Sequence, residues 1–175
     1  METYRLETIL ESGYVKRFHA QPHMPSQDLS QHQWRVAIML QHFYGEVPSV
    51  VLMYALTHDC AELDTGDIPA PTKRISSGLK GALSAIEDHF DTVYQTGVNV
   101  STVGDSVPRE WQQRVKLCDM IEGLRYCAEC VMTGNKFAVE VGLKWAEYLS
   151  NYSAPQTAEM VAYIAAQTKI LVGEK

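Results

Sequence analysis

The residues best able to do chemistry fall in one stretch. From Thr57 to Asp67 the chain reads THDCAELDTGD, so an apolar run ends in a histidine and four carboxylates. Burying such groups is costly unless an opposite charge pairs with them. A divalent cation would do so. His58 and Asp59 are adjacent near the end of a predicted helix, and Glu62 falls one turn beyond His58 on the same predicted face. His32 lies inside a second apolar helical pattern, and Asp119 sits in VKLCDMIEGL, flanked by Leu117, Met120 and Ile121. An aspartate in such surroundings is seldom left without a partner. Two neutral imidazoles and two carboxylates balance a doubly charged ion and leave positions open for water and substrate. Mixed nitrogen and oxygen donors suit Mn, Fe, Co, Ni or Zn better than Ca. Alone, His32 reads as a hydrogen-bonded core residue and Asp119 as half of an ion pair. The order H…HD…D across three predicted helices is what makes the metal reading specific.

The elements that must position these residues are predicted to be helices throughout. Residues 3–12 form a short helix closed near Gly13, and Pro22 and Pro25 make 19–28 a loop. Asp28 or Ser30 caps a helix running to about Tyr44, in which Trp34, Ala37, Ile38 and His42 follow the 3.6-residue period. Pro48 opens a helix from Ser49 to about Leu63; apolar on nearly every side, it is expected to be the central buried helix. Gly66, Pro69 and Pro71 make 65–76 a loop. Further helices are expected over 78–95, 108–132, 136–150 and 155–172, with a polar loop at 98–107.

Composition narrows the partners. With 175 residues, 46% of them hydrophobic and 21% charged, the chain reads as one folded domain, 1–175, with a sizeable core. A net charge of −6 argues against duplex nucleic acid as the main partner, but not against a nucleotide, which needs only a local basic pocket. The most apolar stretch, Val47 to Thr57, is too short to span a bilayer, and METYRLETILESG has no leader pattern, so a soluble cytoplasmic protein is expected. Cys127 and Cys130 form a CxxC with no second pair and are read as packing residues, not zinc ligands. There is no GxGxxG or phosphate-loop motif.

With these residues in view, the sequence resembles the HD-domain metal-dependent phosphohydrolases, whose H…HD…D pattern is met by His32, His58-Asp59 and Asp119. Within that superfamily it looks like the small branch of bacterial 5′-deoxynucleotidases and phage dATP triphosphohydrolases. The matching segments are Lys16-Arg17-Phe18, Leu29-Ser30-Gln31-His32, THDCAELDTGDIPAPTK (57–73) and KLCDMIEGLRY (116–126). The TGD-x-P-x-P-x-K run is the most discriminating of them. The resemblance implies an all-α HD-domain helical bundle around a central mononuclear site. There His32, His58, Asp59 and Asp119 would hold one divalent transition metal (Zn, Co or Mn). Glu62 would position or activate the attacking water, Asp67 would lie beside the scissile phosphate, and Arg17 and Lys73 would bind phosphate oxygens. Phe18 stands where the branch more often has Trp; it would pack against the 2′ carbon of the sugar and disfavour a ribose hydroxyl. Pro71 is placed as one wall of the base pocket, and the prolines around it would pre-organise Lys73.

The reaction so implied is hydrolysis at the 5′ oxygen of a 2′-deoxynucleotide, with attack at the α-phosphorus. Similarity to the compact phage enzymes favours dATP, giving deoxyadenosine and triphosphate, with additional Mg²⁺ to neutralise the phosphate chain. A 5′-deoxynucleotidase acting on monophosphates is the alternative. A noncatalytic nucleotide sensor would have lost part of the ligand set, and here the whole set is present. The resemblance also implies a homo-oligomer, working in the host cytoplasm if phage-encoded.

Overall fold

The computed structural model of the chain describes residues 2–21, 23–73, 77–94 and 107–174. Helix α1 (Glu2–Ser12) is followed by two short strands, β1 (Lys16–Arg17) and β2 (Gln27–Asp28). Then come α2 (Leu29–Tyr44), α3 (Ser49–Thr57), α4 (Glu62–Thr65), α5 (Ala70–Lys73) and α6 (Ser77–Tyr94). The chain ends with α7 (Arg109–Met132), α8 (Ala138–Ser150) and α9 (Ala158–Val172). This is the expected all-α architecture, with one small hairpin added. Residues 95–106, most of the expected 98–107 loop, lie outside the described residues.

The central helix is α7, not the 49–63 segment. Its residues Leu117, Cys118, Ile121, Leu124, Cys127 and Ala128 are fully buried, and it packs against α2, α8 and α9. Helix α3 stops at Thr57 and buries only Val51, Ala55 and Thr57, while Val50, Met53 and Leu56 are exposed. Composition marks how apolar a helix is but not how many neighbours it has, and α3 packs chiefly against α2. The inward face of α2 also differs from the expected one. Leu29, His32, Val36, Leu40 and Phe43 turn inward, whereas Trp34 and Ile38 are more than half exposed. Apolar residues occur on both faces of this helix, so periodicity alone does not choose between them. Helix α9 begins at Ala158 rather than Pro155, because the Thr157 side chain caps it by accepting from the Met160 N–H.

The hairpin is antiparallel, pairing Lys16 with Asp28 and Arg17 with Gln27. Strand alternation sends the first pair outward, where Lys16 and Asp28 form an ion pair, and the second pair inward, where both residues are buried. Among the described residues no helix is long and apolar enough to cross a membrane.

Close helix contact is bought with glycine where α8 meets α7 and α9. A Cβ on Gly142 would come within 2.6 Å of Leu171 Cδ1 and 2.9 Å of Cys127 Cβ. Gly142→Ala is therefore expected to lose about 1–3 kcal/mol through overpacking. Urea unfolding measures this, and wild-type stability in the variant would contradict the packing described.

Candidate active site

Three segments, α2, the turn after α3, and α7, converge on one point. His32 comes from the inward face of α2 and is fully buried. Its Nδ1–H donates to Glu122 Oε2 at 2.7 Å, which leaves Nε2 3.2 Å from Asp119 Oδ1 and 4.0 Å from Asp59 Oδ2. His58 follows the last residue of α3. Its Nδ1–H donates to the Ala55 carbonyl at 2.9 Å, and its Nε2 lies 3.4 Å from Asp59 Oδ2. Both imidazoles are thus held with Nε2 turned toward the carboxylates. Donor atoms of His32, His58 and Asp59 all lie within 4.8 Å of one another.

These donors fit a divalent cation. His32 Nε2, His58 Nε2 and Asp119 Oδ1 are buried and complete no hydrogen bond among the described residues. Buried polar atoms are rarely left so. The two nitrogens and the Asp59 carboxylate, with Asp119 Oδ1 3.2 Å from His32 Nε2, form a donor set suited to a divalent metal.

The local backbone departs from a simple helix. After Thr57 the bonds run three residues back: Cys60 N–H to Thr57, Glu62 to Asp59, Leu63 to Cys60 and Asp64 to Ala61. In such a tightened turn residues three apart eclipse one another. Glu62 therefore shares a cavity wall with Asp59, in α4, and not a continuous helical face with His58 as the spacing suggested. The expected 65–76 loop likewise holds a helical turn, α5, that ends at Lys73.

In front of the donors lies a cavity of about 200 Å³. Arg17, Phe18, Asp59, Glu62, Asp67, Lys73 and Asp119 all line it. The structure thus brings together every candidate residue except the Pro71 ring, which lies outside the described side chains. Arg17 is buried, 3.6 Å from Asp119 Oδ1 and 4.0 Å from Glu122 Oε2. Lys73 Nζ donates to Glu62 Oε1 at 3.5 Å. Asp67 Oδ2 accepts the Phe18 N–H at 3.1 Å. That bond holds Phe18 at a φ of 61°, in the left-handed region, with its ring stacked on Tyr126 at 4.9 Å.

The charges are strongly perturbed. Burial pushes the Glu62 carboxyl up to about 9, and the charges of Asp59 and Asp67 add to the effect. Burial also works against the Asp119 charge, but Lys116, His32 and Arg17 hold that carboxyl well below the usual range. His58 is pushed down by burial, against the pull of Asp59.

Sequence reasoning missed several residues. Lys116 forms an ion pair with Asp119, and Glu122 is fully buried beside His32. The spacing 116, 119, 122 puts all three on one helix face, which is a legible signal. Lys144, Trp145 and Tyr148 of α8 line the cavity from the far side. Nothing local marks them, because their role depends on how α8 docks.

This architecture is that of an HD phosphohydrolase. The solved cyanophage S-2L HD phosphohydrolase DatZ, bound to dA and one catalytic Zn²⁺ ion, superposes with a TM-score of 0.69 at 19% identity, over 95% of either chain. A dATP triphosphohydrolase of Salmonella phage PMBT28 is 27% identical over 142 residues, covering 74% of this chain and 69% of that protein. The model of the YfbR-like 5′-deoxynucleotidase family matches residues 6–168, and the chain belongs to that family. It is accordingly a hydrolase of deoxynucleotide phosphates.

Glu62 gives a test of these electrostatics in metal-free protein. Its folded carboxyl titrates at about 9 against an ordinary 4.5, so folding takes up a proton between those values. The stability tied to that proton is complete below the lower value and is lost as pH rises toward the upper one. Glu62→Gln is neutral throughout. With a chelator present it is expected to melt above wild type at about pH 8 and level with it at about pH 4, by roughly 2–4 °C per kcal/mol relieved. Calorimetry at the two pH values decides, and equal melting at the higher pH would contradict the assignment.

Proposed function

We propose that the chain cleaves the bond between the 5′ oxygen and α-phosphorus of a 2′-deoxynucleotide. dATP, split into deoxyadenosine and triphosphate, is the favoured substrate. The observation that carries this reading is the charge of the cavity. Arg17, Lys73, Lys116 and Lys144 line the same space as Asp59, Glu62, Asp67 and Asp119. With a divalent ion offsetting the acids, four cations exceed what one phosphate requires and suit a longer chain of phosphates. The phage relative named for dATP hydrolysis, and the structural neighbour with dA bound, support the same choice.

The roles follow from position. His32, His58, Asp59 and Asp119 would hold one divalent transition metal, Zn, Co or Mn. Such an ion neutralises phosphate charge and lowers the pKa of water. Glu62 orients the attacking water and takes its proton. Burial and, after it, the Asp59 charge raise Glu62; a cation would offset the second and ease loss of the carboxyl proton. Arg17 offers a planar fork to the α-phosphate, and Lys73 a point charge. Asp67 fixes the backbone of Phe18, and the Phe18 ring closes the sugar side of the cavity. A 2′-hydroxyl there would be buried against an apolar ring. Ile68, Pro69 and Trp145 give apolar surface for a base. Exposed Trp34 and Ile38 on α2 suit contact with a second copy, and the cytoplasm is where such substrates are met.

The monophosphate nucleotidase is the second reading, favoured by the matching family model. Product analysis with dATP, dAMP, dGTP and ATP separates the two, with Mn²⁺, Co²⁺ or Zn²⁺ present and Asp59→Ala as blank. Deoxyadenosine plus intact triphosphate from dATP, with little turnover of dAMP, is expected. Turnover of monophosphates alone would transfer the protein to the nucleotidase reading, and no turnover at all would sink both. In the same assay, Phe18→Ala is expected to lower the preference for dATP over ATP by roughly tenfold or more. An unchanged ratio would remove Phe18 from sugar selection.

A further inference from the structure

We propose that Glu122 is a positioning residue that locks the metal ligand His32 and the β1–β2 hairpin into one frame. It belongs to neither the ligand set nor the cavity lining. Its carboxylate is fully buried in α7, yet it collects partners from α2 and from both strands of the hairpin. Oε2 accepts from His32 Nδ1 at 2.7 Å. Oε1 accepts from Gln27 Nε2 at 2.8 Å and from Arg35 Nη1 at 3.4 Å. The guanidinium of Arg17 lies 4.0 Å from Oε2.

Each contact has a separate consequence. An imidazole can carry its proton on either nitrogen, and a carboxylate on Nδ1 fixes the tautomer that leaves Nε2 free to ligate. The second oxygen reaches β2. Gln27 stands opposite Arg17 in the strand register, so tying Gln27 to α7 also fixes the strand that delivers Arg17 and Phe18. A core built for stability alone has no need of a charge here, since an apolar residue of similar volume is often as stable. The cost is met by the three donors, and in return the phosphate-binding strand and the ligand keep one spacing.

An amide in place of the carboxylate cannot serve the same partners. Glu122→Gln has one acceptor oxygen for the donors of His32, Gln27 and Arg35, and its NH₂ would face a donor. The test uses the full chain with Zn²⁺ and Co²⁺ as probes. Affinity is read by chelator competition and geometry by the visible spectrum of the Co²⁺ form. Glu122→Gln is expected to bind 10- to 100-fold more weakly, with a shifted Co²⁺ spectrum and faster amide exchange over residues 16–28. Gln27→Met cuts only the hairpin arm. It is expected to hasten the same exchange while metal affinity stays within about twofold.

A folded Glu122→Gln with wild-type affinity and spectrum would overturn the proposal, as would unchanged hairpin exchange in Gln27→Met. Should Glu122→Gln fail to fold, ¹⁵N NMR of the Zn²⁺-loaded wild type still decides. Ligation of His32 through Nε2 with its proton held on Nδ1 supports the proposal, and ligation through Nδ1 overturns it. The inference rests on the reading of His32 as a ligand. If the wild type binds neither ion, that reading has failed; if wild type and variant bind alike, this inference has failed alone.

Discussion

Asp59, Glu62, Asp119 and Glu122 crowd around two imidazoles in the interior of a small helical bundle, where like charges repel across a few ångströms with little water between them. Two unit charges 4 Å apart interact by about 4 kcal/mol in surroundings of intermediate polarity. The rest of the molecule is arranged around that repulsion. Arg17 approaches from β1, Arg35 from α2, Lys73 from the end of α5, and Lys116 from within α7 itself. Glu62 takes the other route and gives up its charge in the metal-free protein. A doubly charged ion among the free nitrogen and oxygen atoms would complete the balance, which is why the fold tolerates so many acids in one place.

The backbone carries the same logic. An uninterrupted helix through Leu63 would have aligned Glu62 with His58. Tightening the chain after Thr57 aligns it with Asp59 instead and turns the His58 ring back onto the Ala55 carbonyl. One segment thereby supplies inward-facing donors and a cavity-facing acid. The hairpin performs a similar division with only two residues per strand, its outer pair meeting solvent and its inner pair meeting α7.

Much of this was legible in the sequence, and the failures have physical causes. The H…HD…D order and the TGD-x-P-x-P-x-K run are plain in residue type and spacing, and the resemblance supplied their meaning; Asp59, Asp67, Lys73 and Asp119 line one cavity, with Nε2 of His32 and of His58 within 4.0 Å of Asp59. The helix limits at Gly45, Pro108 and Gly134 follow from strong local signals. The central helix was misplaced because α3 is more apolar than α7, while burial depends on neighbours that no local pattern records. The hairpin escaped because two-residue strands have no periodicity to detect. Glu122 escaped because a lone glutamate beside the conspicuous Asp119 reads as a solvated charge, until the fold presents three donors to it.

Phe18 illustrates how this site trades one property for another. A side chain at a φ of 61° forgoes roughly 1–2 kcal/mol that glycine would not. Glycine there would relax the backbone and leave the Asp67 bond in place, since that bond uses only the peptide N–H. It would also delete the ring. The ring packs against the core and stacks on Tyr126, so its loss would outweigh the backbone relief. A single side chain thus fastens the hairpin to α7 and lines the cavity, and selection for heat resistance would hold it in place whatever nucleotide the cavity takes.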